Sequence, residues 1–313
     1  MKILVTGGAG FIGSNMVNVL EQQGHDVVII DNLSTGNIKN LKTNLPSTKF
    51  YLQDIRNPEI KKLFEIERPE IVVHFAAQAS VIDSVKDPML DEDINLKGII
   101  NLILSSVATG VKKFIFISTG GAIYGDADQV PTSETYLPDA VSPYALTKKT
   151  SENYLAVFHK LYSLNYTVLR LANVYGPRQM PKGECGVVPI FFEKCMKNED
   201  AALLTYPDMP DGTYRDYVYV GDVCAAVLKC IDRGDCDIFN IGTGVSLSMR
   251  QIFEQIKTVV GSTNQLITKN PRLGDVRKSA LDCRKAKQIL GWQPQITFSE
   301  GLEHTYHHLK ENK

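Results

Sequence analysis

Residues 2–6 form a short apolar run, and three glycines follow it at fixed spacing in Gly7-Gly8-Ala9-Gly10-Phe11-Ile12-Gly13. Helical apolar spacing then takes over across 14–23 through Met16, Val17 and Leu20. A second β-rich run, Val27-Val28-Ile29-Ile30, ends at Asp31. A glycine turn between a strand and a helix, with an acid closing the next strand, leaves few folds open. Gly7 permits the tight turn, Gly10 lets backbone approach a pyrophosphate, and Gly13 lets helix and strand pack closely. The helix N-terminus, with Phe11 and Ile12 beside it, offers free N–H groups and a positive dipole end to phosphates. Asp31 lies where a carboxylate accepts both hydroxyls of an adenosine ribose and would repel a 2′-phosphate. The expected ligand is therefore a dinucleotide, NAD in preference to NADP.

Further apolar runs recur at 71–75, 114–117 and 166–169, with helix-like segments at 94–108 and 145–161 between them. Alternation of strands and helices predicts an α/β fold, a Rossmann-type doubly wound parallel sheet. In such sheets ligands sit at the carboxyl ends of the strands. Three tips lie there, Ala76-Ala77-Gln78, Ser118-Thr119 and Ala172-Asn173, and small residues at a tip let a nicotinamide approach the backbone. After about residue 173 prolines and glycines multiply, around helical stretches at 190–196 and 249–259. The expected division is an NAD-binding unit at 1–172, rejoined by a segment near 216–240, and a smaller substrate-binding α/β unit at 173–313.

The 313 residues carry a formal net charge of -1, so an anionic substrate must be caught by a few placed arginines rather than a basic surface. Neither nucleic acid nor a membrane is an expected partner. Residues 1–5 do not read as an export signal, and no apolar run is long enough to cross a bilayer. The six cysteines, none in a Cys-x-x-Cys pair, read as free thiols filling the core of a cytoplasmic protein. His304, His307 and His308 end an amphipathic stretch without an acid or cysteine cluster, so no metal site is expected. Trp292 reads as a packing residue.

Chemistry enters with Ser142-Pro143-Tyr144-Ala145-Leu146-Thr147-Lys148. Tyr144 and Lys148 are four apart and share one face of a helix. A free phenol has a pKa of about 10, too high for a base at neutral pH. A nearby ammonium favours the phenolate, and a positive nicotinamide ring adds to the effect. Such a pair takes a hydroxyl proton while hydride leaves the same carbon.

On these residues the chain resembles the extended short-chain dehydrogenases/reductases, in the sugar-nucleotide epimerase/dehydratase group. The likeness runs through the glycine motif, Asp31-Asn32-Leu33, Asp54-Ile55, the 74–78 stretch, the Tyr-Lys pair and the 169–178 stretch. It continues in Arg215-Asp216-Tyr217, Asn240-Ile241-Gly242-Thr243-Gly244 and Arg272-Leu273-Gly274-Asp275. The resemblance implies that Asn32, Asp54 and Ile55 lie against the adenosine half of NAD. It places Ala76, Ala77, Gln78 and Asn95 near the cofactor, and Asn173, Arg215 and Arg272 on a nucleotide diphosphate with Asp275 on its ribose. Guanidinium forks match phosphate oxygens.

The family's usual hydroxyl partner of the tyrosine falls on Gly120, so the role passes to Thr119, with Ser118 as the alternative. Gly121-Ala122 replaces the Asp-Glu pair of the 4,6-dehydratases, which argues against water elimination. The same Ala122 stands where UDP-glucuronate decarboxylases carry a glutamate. The resemblance then implies 4-epimerisation of a UDP-hexose with NAD retained, in a homodimer formed through paired helices. Ser279 stands where glucose/galactose epimerases often carry a bulky aromatic, which leaves room for an N-acetyl group. Rival readings are a UDP-glucuronate epimerase, a reductase that consumes external cofactor, and a non-catalytic NAD-binding regulator.

Overall fold

The computed structural model describes residues 1–41, 47–181, 186–270 and 276–312. Strand β1 (Lys2–Thr6) leads through helix α1 (Phe11–Gln22) to β2 (Asp26–Asp31) and β3 (Lys49–Leu52). Helix α2 (Ile60–Glu67) precedes β4 (Ile71–His74). Two short helices, α3 (Val81–Lys86) and α4 (Pro88–Glu92), and a π-turn at Asp93–Lys97 then lead into α5 (Gly98–Thr109). Strand β5 (Lys113–Thr119), the single turn α6 (Gly120–Ile123), the long helix α7 (Pro143–Tyr162) and β6 (Tyr166–Leu171) complete this half.

Beyond β6 the chain leaves the sheet. Strands β7 (Asn173–Tyr175), β8 (Ala201–Leu204) and β9 (Tyr214–Tyr219) and helix α8 (Val187–Lys197) build a second lobe. Helix α9 (Val220–Asp232) and β10 (Asp237–Ile241) then come back to the first. Last come β11 (Ser246–Ser248), α10 (Met249–Val260), β12 (Leu266–Lys269), β13 (Lys278–Ser279) and α11 (Phe298–Glu311).

The large sheet has the order β10-β6-β5-β4-β1-β2-β3, and every pairing in it is parallel. Its strands are apolar on both sides because both faces are covered. Ile3, Val5, Val27 and Ile29 pack with Met16 and Val17 of α1 and Val223 and Val227 of α9. Their neighbours Leu4, Val28 and Ile30 pack on the opposite face with Phe64 of α2, Leu102 of α5 and Leu155 of α7. The returning segment expected near 216–240 is therefore split: β9 stays in the small lobe, and only α9 and β10 rejoin the large sheet, where β10 pairs with β6. In the small lobe β9 is the hub, paired with β7, β11 and β13. A third core there joins Phe191 and Phe192 of α8, Phe253 of α10 and Leu302 of α11.

Trp292 is buried, and its indole N–H donates to the Asp222 carbonyl at 2.9 Å. The Asp222 carboxylate accepts from the Gln295 and Ile296 N–H groups, each at 3.1 Å, which fixes where the chain enters α11. Cys195, Cys224 and Cys230 fill cores as expected, whereas Cys236 and Cys283 are only half-buried. The Cys236 thiol packs against the core on the face of α2, α5 and α7 and sits 3.2 Å from His159 Nδ1. Cys185 lies outside the described residues. Among the described residues no helix is long and apolar enough to cross a membrane.

Candidate active site

The glycine turn is built by close contact. Gly7 has φ +68°, and a Cβ there would lie 2.6 Å from the Ala76 nitrogen, so any side chain would push β1 away from the tip of β4. A Cβ on Gly13 would collide with the Gly7 carbonyl oxygen. No side chain caps α1, whose N-cap is Gly10, so the first turn presents its N–H groups to whatever lies at the glycine loop. The Asp31 carboxylate is buried and accepts from the N–H groups of Ala9, at 2.9 Å, and Leu33, at 2.8 Å. It therefore pins the glycine loop to the end of β2, and each oxygen keeps lone-pair capacity for a ribose hydroxyl.

These features line one side of a cleft of about 820 Å³ at the carboxyl ends of the strands. Asn32, Asp54, Ile55, Ala76, Ala77 and Gln78 share that lining, and so do Ser118, Thr119, Tyr144, Lys148, Asn173 and Arg215 from the other side. Asp54 is locked by Arg56, through Nε at 2.9 Å and Nη2 at 2.8 Å, and by the Asn32 amide at 2.9 Å. These bonds, the Arg56 pair foremost, hold the Asp54 carboxyl well below the usual carboxylate range. Arg56 also lines the cleft and pairs with Asp93 at 2.7 Å, a role that a lone arginine in a loop sequence does not reveal.

Asn95 and Ser279 do not line this cleft. Asn95 is buried beneath it, where its carbonyl oxygen accepts from the Gln78 N–H and its amide donates to the Gln78 carbonyl, each at 2.9 Å. It shapes the loop at the tip of β4. Ser279 lies on β13 in register with Arg215 of β9 and is buried. Arg272 and Asp275 lie outside the described residues.

Helix α7 starts on a strong signal: the Ser142 hydroxyl accepts from the Ala145 N–H at 3.2 Å, with Pro143 in the first turn. Tyr144 is half-buried and Lys148 is 4% exposed, both on the cleft. The Lys148 ammonium donates to the Ile117 carbonyl at 2.9 Å and sits 4.7 Å from the centre of the Phe116 ring. Burial pushes its pKa down to about 8, against the pull of the carboxylates of Asp91 and Glu152.

A buried polar chain supports this pair from behind. The Ser118 hydroxyl donates to Glu152 Oε1 at 2.7 Å. Arg170 grips Glu152 through Nε at 2.9 Å and Nη2 at 2.7 Å, and donates through Nη1 to the Tyr124 hydroxyl at 2.8 Å. Tyr124 in turn donates to Asn240 Oδ1 at 2.9 Å. The Ser118 hydroxyl is thus committed to the protein interior, while Thr119, one residue on, is half-buried at the cleft wall.

On the small-lobe side, the Asn173 amide donates to the Asp216 carbonyl at 3.2 Å, and Arg215 Nη1 donates to the Tyr214 carbonyl at 2.9 Å. Asp216 is buried and accepts from the N–H groups of Thr243, Gly244 and Leu281 and from the Thr243 hydroxyl. It ties β9 to the loop after β10, so the acid beside Arg215 holds the two lobes' strands together at the cleft. Gln179 also lines the cleft, with its amide donating to the Val174 carbonyl at 3.1 Å; no spacing in the sequence singles it out.

Known proteins agree with this geometry. The family model for the NAD dependent epimerase/dehydratase family matches residues 3–242. A UDP-glucose 4-epimerase from Mycolicibacterium smegmatis is 41% identical over 308 residues, 97% of each chain. The solved UDP-glucose 4-epimerase of Thermotoga maritima with UDP-glucose superposes with a TM-score of 0.95 at 46% identity, covering 100% of this chain and 99% of that one. The Thermus thermophilus UDP-glucose 4-epimerase in complex with NAD gives 0.93 at 41% identity, over 99% of both chains. The glycine turn, the Asp31 clamp and the Tyr-Lys helix thus lie in a chain that belongs to the NAD dependent epimerase/dehydratase family.

Proposed function

We propose that the protein is a UDP-hexose 4-epimerase that interconverts UDP-glucose and UDP-galactose with NAD held throughout. The observation that carries the reading is that Tyr144 and Lys148, one turn apart on α7, open into the same cleft as the glycine loop and Asp31. The donor set fits NAD. An uncapped helix start faces the loop, a side chain on Gly7 or Gly13 would fill the turn, and Asp31 stands at the end of β2. Gly7, Gly10, Phe11, Ile12 and Gly13 would hold the pyrophosphate, Asp31 and Asn32 the ribose, and Asp54 and Ile55 the adenine. Ala76, Ala77 and Gln78 would lie along the nicotinamide half. When bound, the cofactor supplies a reversible hydride acceptor for the sugar carbon that carries the 4-hydroxyl.

Tyr144 takes the proton of that hydroxyl and gives one back after the sugar has presented its other face. Lys148, protonated below a pKa of about 8, lowers the phenol's proton affinity. Thr119 bonds the same sugar oxygen as its proton moves, because Ser118 is engaged by Glu152. Asn173 and Arg215, with Arg272 and Asp275, would anchor the nucleotide diphosphate, leaving the sugar free to turn. Ser279, buried on β13 and off the cleft lining, does not by its small size open the sugar site to an N-acetyl group.

The protein acts as a homodimer. Leu104 on α5 and Leu146, Val157 and Leu161 on α7 are exposed, and these helices pack side by side; apolar surface of this kind marks an interface. All five described cysteines are free, in keeping with work in the reducing cytoplasm.

The test is incubation of purified protein, with no cofactor added, with UDP-glucose, UDP-N-acetylglucosamine and UDP-glucuronate separately, followed by chromatography. The 4-epimer of UDP-glucose is expected. Turnover only with stoichiometric NAD or NADH would make the protein a dehydrogenase or reductase.

A further inference from the structure

Asp91 lies in the short helix α4, has no exposed surface, and belongs to no motif singled out in the sequence. Three side chains from three parts of the fold donate to its carboxylate. Gln78, at the tip of β4, donates to Oδ1 at 2.9 Å. Asn95, in the π-turn before α5, donates to Oδ1 at 3.0 Å. Thr147, between Tyr144 and Lys148 on α7, donates to Oδ2 at 2.8 Å. The Asn95 amide has a fixed orientation, since its oxygen already accepts from the Gln78 N–H. All three partners are thus donors, which suits an ionised, acceptor-only carboxylate. A buried carboxylate is costly unless it has such partners and a nearby cation. Burial raises the Asp91 pKa, and the three donors oppose that rise together with the positive charge of Lys148 across the packed pair α4 and α7.

We propose that Asp91 is a positioning residue of the Tyr144–Lys148 pair, which it holds in register with the cofactor loop while keeping Lys148 charged. The proposal rests on the reading of Tyr144 and Lys148 as the base pair of an epimerase. Glu152, on α7 itself, also pulls on Lys148, but it ranks behind Asp91 and is shared with Arg170 of β6 and with Lys149. His74 of β4 is fully buried, and burial, reinforced by the Lys148 charge, drives its pKa well down, so it remains neutral. Tyr144, the remaining titratable group on this face of α7, is the acid that Lys148 serves. Asp91 is therefore the carboxylate on a neighbouring element whose charge is left for Lys148.

The test uses the full-length protein and its Asp91→Asn and Thr147→Val variants. Asparagine keeps the size of the side chain but removes the charge and cannot accept at both positions. Valine removes one bond and leaves the charge. In Asp91→Asn the Lys148 midpoint should fall by about one pH unit. That midpoint is read by NMR of protein labelled at lysine 13Cε, with the Lys148 signal identified by its absence in Lys148→Met. The alkaline limb of kcat for UDP-glucose should move down with it, and kcat should drop about ten- to hundredfold with KM nearly unchanged. Thr147→Val should lower kcat severalfold without moving the limb.

A Lys148 midpoint in Asp91→Asn equal to that of the parent protein overturns the proposal, whatever the loss of rate. Should Asp91→Asn not fold, an unchanged kcat in Thr147→Val overturns it instead. Because the NMR midpoint needs no turnover, a parent protein inactive on UDP-sugars would remove the epimerase reading and leave the Asp91–Lys148 coupling separately decided.

Discussion

In the proposed base pair, one ammonium sits where the fold makes its charge costly. Lys148 is buried, and its pKa is pushed from 10.5 to about 8 by loss of solvent. Below that value it is charged, and in the proposed mechanism it then assists Tyr144, so kcat measured across pH 6 to 10 should decline through an alkaline limb at about 8. The effect on stability has the opposite sense. Between about 8 and 10.5 the unfolded lysine keeps its proton while the folded one has lost it, so this group's contribution to stability rises with pH across that window. Urea titrations of the parent and Lys148→Met at pH 7.5 and 9.5 should show the difference between them change in that direction. Tyr144→Phe should cost about 10²- to 10⁴-fold in kcat, the usual worth of a positioned acid–base group, while the absorbance ratio that reports bound NAD stays the same.

At the level of elements, two junctions carry the site: the β1–α1 turn and the buried seam between β6 and α7. Gly13→Ala would place a methyl group against the Gly7 carbonyl and force α1 away from β1. The purified variant should carry little NAD, as judged by its ultraviolet spectrum. In the seam, Arg170 and Glu152 are about 98% and 99% buried and bidentate. Arg170→Met would leave the buried Glu152 carboxylate with only Lys149, at 3.4 Å, as a cation and should cost about 3 kcal/mol in urea unfolding. Adding Glu152→Gln should recover part of that loss, because the stranded charge goes with it. The sequence made the elements themselves legible. The turn, α7 and its serine cap, and the strand runs all follow from local patterning. The seam was not legible, because Ser118, Glu152, Arg170, Tyr124 and Asn240 are scattered over more than a hundred positions and meet only when β5, β6 and β10 lie side by side.

For the whole molecule, the decisive geometry is the meeting of two lobes at one cleft. The chain crosses between them after β6, returns through α9 and β10, and leaves again at β11. Asp216 and Asp222, each bonded to backbone N–H groups far along the chain, fasten those crossings. The exposed leucines of α5 and α7 belong to this scale as well. If the proposed homodimer forms through them, Leu104→Glu combined with Leu161→Glu should convert it to a monomer in sedimentation velocity, since charge on an apolar interface opposes association.

The sequence by itself determined the wound parallel sheet, the dinucleotide turn with Asp31, and the Tyr144–Lys148 pair. Each of these is written in residues within a turn or a strand of one another, where spacing alone fixes geometry. Only the tertiary structure decided that Ser118 serves Glu152 and leaves Thr119 at the cleft wall, that Asn95 shapes the Gln78 loop from beneath, and that β9 stays apart from the large sheet. It alone brought Asp91 to α7. Those outcomes depend on which distant polar groups share a buried space, and the partner that satisfies a buried donor or acceptor is set by packing, which local spacing does not encode.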